Sequence, residues 1–129
     1  MSINRKAIVT EDAPSPAGPY SQGIVSDNHV FVSGQRPQDP KTGEIPKGIK
    51  EQTRQVIKNI QSILKNEGCT LENVVRTTVY LSDIKYFNEM NEVYKEMFSD
   101  PFPARTTFGA QLRGIDVEID AIAIKNTKG

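Results

Sequence analysis

A chain of 129 residues, 36% hydrophobic and 25% charged, has enough apolar mass to bury one core, which excludes a disordered polymer. Sixteen Lys and Arg balance sixteen Asp and Glu with no basic cluster, so a phosphate backbone is a poor partner. Cys69 is the only cysteine and His29 the only histidine, which excludes an intrachain disulfide or a cysteine metal site and leaves zinc to carboxylates.

Residues 1–6 lack an apolar stretch of signal-peptide length, and no run approaches the length of a membrane span. The expectation is one cytosolic domain over residues 1–129. Residues 6–9 read as a first short strand. Pro14, Pro16 and Pro19 punctuate a loop ending in GPYSQG at 18–23, where glycine and proline fix a backbone path in place of a regular element. Ile24 and Val25 begin a strand, Asp27-Asn28 form a hairpin turn, and residues 29–32 return as its partner. Ser33-Gly34-Gln35 follows, and Gly34, lacking a Cβ, lets a ligand or another chain approach the backbone. Residues 37–48 make a second loop, with a turn at 39–43.

Residues 49–67 carry Ile49, Val56, Ile57, Ile60, Ile63 and Leu64 at helical spacing, and Gly68 is a natural stop. Residues 74–81 form a strand, with Val75, Thr77, Val79 and Leu81 on one face and Val74, Arg76, Thr78 and Tyr80 on the other. Asp83 is placed to cap a second helix from about residue 85 to 98, whose apolar face is Phe87, Met90, Tyr94, Met97 and Phe98. Asn91 falls on that stripe. A buried amide without partners costs on the order of 1–3 kcal/mol, so Asn91 either bonds a loop backbone or meets a ligand.

Pro101 and Pro103 forbid helix and force an extended path into Arg105, Thr106, Thr107 and Phe108. After a turn-like Leu112-Arg113-Gly114, residues 115–124 alternate. Asp116, Glu118 and Asp120 take one parity, and Val117, Ile119, Ala121 and Ala123 the other. The two strands read as a hairpin or near neighbours. A loose loop centred on Gln111-Leu112 would set Arg105 opposite Glu118, whereas a tight turn at Arg113-Gly114 would pair Arg105 with Ile122; the register stays open. Facing each other, the two charges would form an ordinary cross-strand ion pair or a functional one.

The element order gives an α+β fold with two helices packed on one face of a single sheet. Two helices leave the other face bare, yet the strands are apolar on both parities. That face is expected to bury itself against copies of the same chain. Among reactive residues, His29 reads as a turn histidine, Cys69 as a packing thiol and Tyr20, taken alone, as a loop anchor. No G-x-S-x-G elbow or P-loop occurs.

GPYSQG at 18–23, SGQ at 33–35, TTVYL at 77–81, Phe87-x-x-x-Asn91-x-x-Tyr94 and PAR…VEIDAIAI at the end together resemble the RidA/YjgF family, the reactive-intermediate enamine/imine deaminases. The resemblance spans nearly the whole chain. It implies a chorismate-mutase-like fold assembled as a homotrimer with a site at each subunit interface, and a hydrolase that clears imines and enamines such as 2-aminoacrylate, formed by pyridoxal-phosphate enzymes. The products would be a 2-keto acid and ammonia, the activity of a 2-iminobutanoate/2-iminopropanoate deaminase. No metal or organic cofactor is implied.

By the same resemblance Arg105 clamps the substrate carboxylate, a task suited to a planar fork. Glu118 holds the attacking water and Tyr20 lines the pocket. Phe87 and Asn91 form its wall, and Ser33-Gly34 lend backbone groups. Thr107 stands where many members carry a cysteine, which hydrolysis does not need. Arg113 stands where the family usually has proline, and is either a cation that alters the pocket or a solvated loop residue. Two other functions compete: a non-enzymatic binder of small carboxylates, and a ribonuclease or translation inhibitor, which the neutral charge disfavours.

Overall fold

Hydrophobic alternation decides which strand sits where in the computed structural model, which describes residues 3–127. The strands are β1 (Lys6–Ile8), β2 (Gly23–Ser26), β3 (His29–Gln35), β4 (Val74–Leu81), β5 (Ala104–Gly109) and β6 (Val117–Ile124), and the helices are α1 (Ile49–Lys65) and α2 (Phe87–Met97). They form one sheet in the order β1-β2-β3-β6-β4-β5, with every neighbouring pair antiparallel except β4 and β5. The α+β reading holds. β6 buries Val117, Ile119, Ala121 and Ala123 and takes the centre, while every residue of β5 is exposed or half-buried and β5 takes an edge.

α1 lays Val56, Ile57, Ile60, Ile63 and Leu64, all fully buried, onto β3 and β6 and packs beside α2. Each of these aliphatics contributes roughly 1.5–3 kcal/mol by leaving water. Gly68 at φ +71° closes the turn after the helix, a conformation that is costly for residues with a Cβ. Asp83 does act as a cap: its carboxylate accepts from Lys85 N at 2.9 Å, starting a short 3₁₀ turn (Ile84–Tyr86) that runs into α2.

Two expectations fail. The last two strands are not a hairpin, because β5 pairs in parallel with β4 and β6 enters on the other side of β4. With α2 between them, β4 and β5 make a β-α-β crossover, whose strands run parallel. The 110–116 loop then crosses the end of β4, tied by Ala110 N to Leu81 O at 2.8 Å and by Ser82 N to Asp116 O at 3.0 Å. The second failure is Val75, which is 47% exposed while Val74 is buried. An irregularity between Val74 and Arg76, opposite Ala123 and Ile122, shifts the parity at the start of β4.

The face away from the helices is bare, as expected. Cross-strand register brings Ile24, Phe31 and Ile122 into one row and Glu118, Tyr80 and Phe108 into another on that side. Phe31 is 41% and Phe108 44% exposed. Among the described residues, no helix is long and apolar enough to cross a membrane.

Candidate active site: two half-sites on opposite faces

Local chemistry fixes the loop at 10–22 before any site can form on it. The buried Gln22 amide accepts from Thr10 N at 2.8 Å and donates to Thr10 O, Ala13 O and Pro14 O at 3.0, 3.1 and 2.9 Å. Four bonds on one side chain hold the segment to the start of β2. Tyr20 caps the loop tip by accepting from Ala17 N at 3.1 Å through its hydroxyl, and its ring stays 47% exposed. Ser33 Oγ donates to Ser21 O at 2.6 Å and Ser33 N to Gln22 O at 3.0 Å, so Ser33 serves the loop.

β3 leaves regular register between Val32 and Gln35, and Ser33 and Gly34 lie in that irregularity, beside β6. A Cβ on Gly34 would strike the Glu118 carboxylate. The missing side chain therefore makes room for a carboxylate of the same chain, a neighbour the sequence did not reveal, and Gly34 itself lines the cleft beside it. Glu118 is half-buried, and loss of water raises its pKa above the ordinary glutamate value; the positive charge of Arg36 pulls it down and Asp120 pushes it further up. Tyr20, Ser33, Gly34 and Glu118 line one cleft of about 890 Å³, joined by Arg36, Leu112 and Arg113.

Arg105 lies elsewhere. Its register partner is Thr77, whose side chain is buried on the helix side, so Arg105 shares that side at the sheet edge. Its guanidinium stands 4.7 Å from the Tyr94 ring centroid and 5.6 Å from that of Phe87, with Nη1 4.0 Å from Met90 Sδ. Tyr94 is a fixed platform: its hydroxyl shares a buried 2.8 Å hydrogen bond with Thr77 Oγ1, and its ring stacks on Phe98 at 4.4 Å. Burial raises the Tyr94 pKa, so the phenol stays neutral under Arg105. Asn91, Tyr94, Phe102, Pro103 and Arg105 line a second cavity of about 340 Å³. Asn91 is half-buried, not buried as its place on the stripe predicted.

Arg105 and Glu118 are therefore not a cross-strand pair. β4 separates them, with Arg105 at the level of Thr77 and Glu118 at that of Tyr80, on opposite faces. Strand geometry puts their backbones about 10 Å apart across the sheet and about 10 Å along it. Arg105 makes no ion pair among the described residues. Thr107 follows Arg105 on the same parity, and its Oγ1 is buried with no hydrogen-bond partner among the described residues.

The structure thus gathers the sequence candidates into two sets: Tyr20, Ser33, Gly34 and Glu118 in one cleft, and Phe87, Asn91 and Arg105 around the other. Sequence reading gave no site role to Arg36, Tyr94 or Phe102, which line them. Both Arg36 and Tyr94 carried a signal, Arg36 as a cation directly after SGQ and Tyr94 as the last residue of the Phe87-x-x-x-Asn91-x-x-Tyr94 motif. Among the described residues, no three His, Cys, Asp or Glu side chains cluster closely enough to hold a metal ion.

Comparison with known proteins adds an independent line. Residues 10–125 match the family model described as Endoribonuclease L-PSP. A RutC family protein of Pyrococcus horikoshii is 52% identical over 124 residues, covering 94% of this chain and 98% of that one. The human 2-iminobutanoate/2-iminopropanoate deaminase is 43% identical over 127 residues, covering 96% and 93%. Among solved structures, E. coli TdcF with bound serine superposes with a TM-score of 0.88 at 34% identity, covering 94% of this chain and 99% of that one.

Proposed function

The chain belongs to the Endoribonuclease L-PSP family, the RidA/YjgF family of the sequence resemblance, and from that premise we propose that it hydrolyses reactive enamine and imine acids such as 2-aminoacrylate to a 2-keto acid and ammonia. The observation that carries this reading is the pair of half-sites. An unpaired guanidinium on an aromatic platform and a half-buried carboxylate open onto opposite faces of one sheet, each lacking what the other has.

A second copy completes the site. The Arg105 edge of one subunit docks against the Glu118 cleft of the next, and the bare row of Ile24, Phe31 and Ile122 supplies apolar area for the contact. Such a contact is head-to-tail, which closes only as a ring; the family resemblance sets the ring at three. The deaminase name carried by the human relative supports the reaction. The serine in TdcF supports an amino-acid-sized ligand on this scaffold.

In that site Arg105 grips the substrate carboxylate through two parallel charged hydrogen bonds. Phe87, Asn91 and Tyr20 wall the short side chain, and the unpartnered Thr107 hydroxyl gains a partner in the filled pocket. An enamine first returns to its imine by moving a proton from nitrogen to carbon. Glu118 takes a proton from a water as the water oxygen bonds to the imine carbon, and delivers it to the nitrogen. Glu118 then carries the adduct's hydroxyl proton to the nitrogen as the C–N bond breaks, leaving a C=O group and ammonia. A carboxyl whose pKa is raised above that of free glutamate is suited to both transfers. The imine is already electrophilic, so placement of water and substrate supplies much of the rate.

The test is to generate 2-aminoacrylate in situ with a serine dehydratase and trap what survives with semicarbazide. The parent protein should lower the trapped amount, and Arg105→Ala should not. Equal trapping with both proteins, together with retained carboxylate binding, would instead favour a binding protein without turnover.

A further inference from the structure

Arg36 and Arg113 are the feature of the Glu118 cleft that a small monocarboxylate leaves without a use. They come from distant segments, the residue after β3 and the loop before β6, and both line the cleft. Arg36 Nη2 donates to the Arg113 backbone oxygen at 3.1 Å, which orients the half-buried guanidinium while most of its five donors stay free. Neither arginine makes an ion pair among the described residues. Arg113 is an exposed loop residue, as one of the two sequence readings had it, and from that loop it lines the cleft.

Two like charges on one wall repel each other, and the one carboxylate among the residues lining the cleft, Glu118, is occupied by its role with water. In the proposed site the substrate's own carboxylate is held by Arg105. We infer that Arg36 and Arg113 bind a second carboxylate on the substrate, and that this chain favours imines of acidic amino acids, the 2-iminodicarboxylates, over those of alanine or serine. The inference rests on the deaminase reading. The reaction is unchanged in balance: water oxygen bonds to C2, the C–N bond breaks, and a 2-oxodicarboxylate and ammonia leave. A planar fork meets a carboxylate edge-on through two bonds, so the pair selects by geometry as well as charge.

The experiment is a competition of substrates. A broad-specificity amino-acid oxidase generates the imines of glutamate and alanine in situ, and semicarbazide trapping gives kcat/KM for each. The ratio of glutamate-derived to alanine-derived kcat/KM should exceed one in the parent. It should fall about tenfold in both Arg36→Leu and Arg113→Leu, and recover in part in Arg36→Lys. An unchanged ratio, or an equal loss on both substrates, would overturn the inference; the equal loss would mean that Arg36 acts only through the charge of Glu118. If the parent hydrolyses neither imine, the deaminase reading fails and binding decides the matter. Calorimetric titration with 2-oxoglutarate and 2-oxobutanoate should then show a preference for the dicarboxylate that both leucine variants lose, and equal affinities would refute the second-carboxylate site.

Discussion

The two half-sites are built by opposite means. The Glu118 cleft is made of loops and a β-irregularity next to the central strand, held by side-chain amide and hydroxyl bonds from Gln22 and Ser33. The Arg105 surface is made of an edge strand and a helix, held by aromatic packing of Tyr94 on Phe98 and a buried hydroxyl pair. One keeps a negative charge short of water; the other keeps a positive charge over ring faces. An arginine and a glutamate within reach in one chain would neutralise each other and contribute little at a surface. Kept on opposite faces, the two charges do not pair within the chain, which the proposed site between two copies requires.

The largest effect should come from separating the halves genetically. Arg105→Ala and Glu118→Gln should each cut turnover of 2-aminoacrylate by about a thousandfold or more, since the first removes the group that positions the substrate and the second the group that acts on the reacting atoms. Mixed, dissociated and reassembled in equal amounts, the two inactive variants should regain about a quarter of parental activity, because random rings place an intact Arg105 against an intact Glu118 at that frequency. A mixture as inactive as its components, in rings shown by mass spectrometry to be mixed, would put both residues in one chain's site and break the comparison.

A smaller loss should follow Gly34→Ala. The added Cβ occupies the space of the Glu118 carboxylate, which must swing out of its place beside the irregular turn. Turnover should fall by about ten- to a hundredfold through misplacement alone, with affinity for a product 2-keto acid nearly kept, because Arg105 is untouched. Steady-state kinetics beside a product titration separate the two. Equal loss of both would make Gly34 a general packing position.

Much of this was legible beforehand, and the failures share a cause. The helix spacing of α1, the Asp83 cap and the alternation of β6 are local patterns, and each appears as read. The β5–β6 hairpin was not there because pairing is set by the crossover through α2, which no local pattern records. β6 also reads as central by its own composition, with four aliphatic residues on one parity, whereas Thr106 and Thr107 suit an edge. The neighbour of Gly34 was missed for a related reason: the group that needs its missing Cβ lies 84 residues later in the chain, on a strand whose register was open. Arg36 was passed over because its partner is a backbone oxygen of a loop.

The smallest effect concerns the energetic difference between the half-sites. Burial raises the Glu118 pKa above the ordinary 4.5, with Arg36 opposing and Asp120 adding to the shift. Between 4.5 and that raised value the folded chain binds more protons than the unfolded chain, so stability falls as pH climbs through the window. Glu118→Gln removes this penalty. It should raise Tm by about a degree or two at pH 7, a modest gain because solvent screens a half-buried group, and by nothing well below the ordinary glutamate value. Arg36→Leu should shift Tm the other way at neutral pH, since it takes away the one cation that offsets the buried charge, and the double variant should lose that deficit. Scanning calorimetry of the four proteins at acid and neutral pH closes the cycle. Were Arg36→Leu destabilising to the same extent with glutamine at 118, its contribution would lie in the bond to Arg113 and not in the field at Glu118.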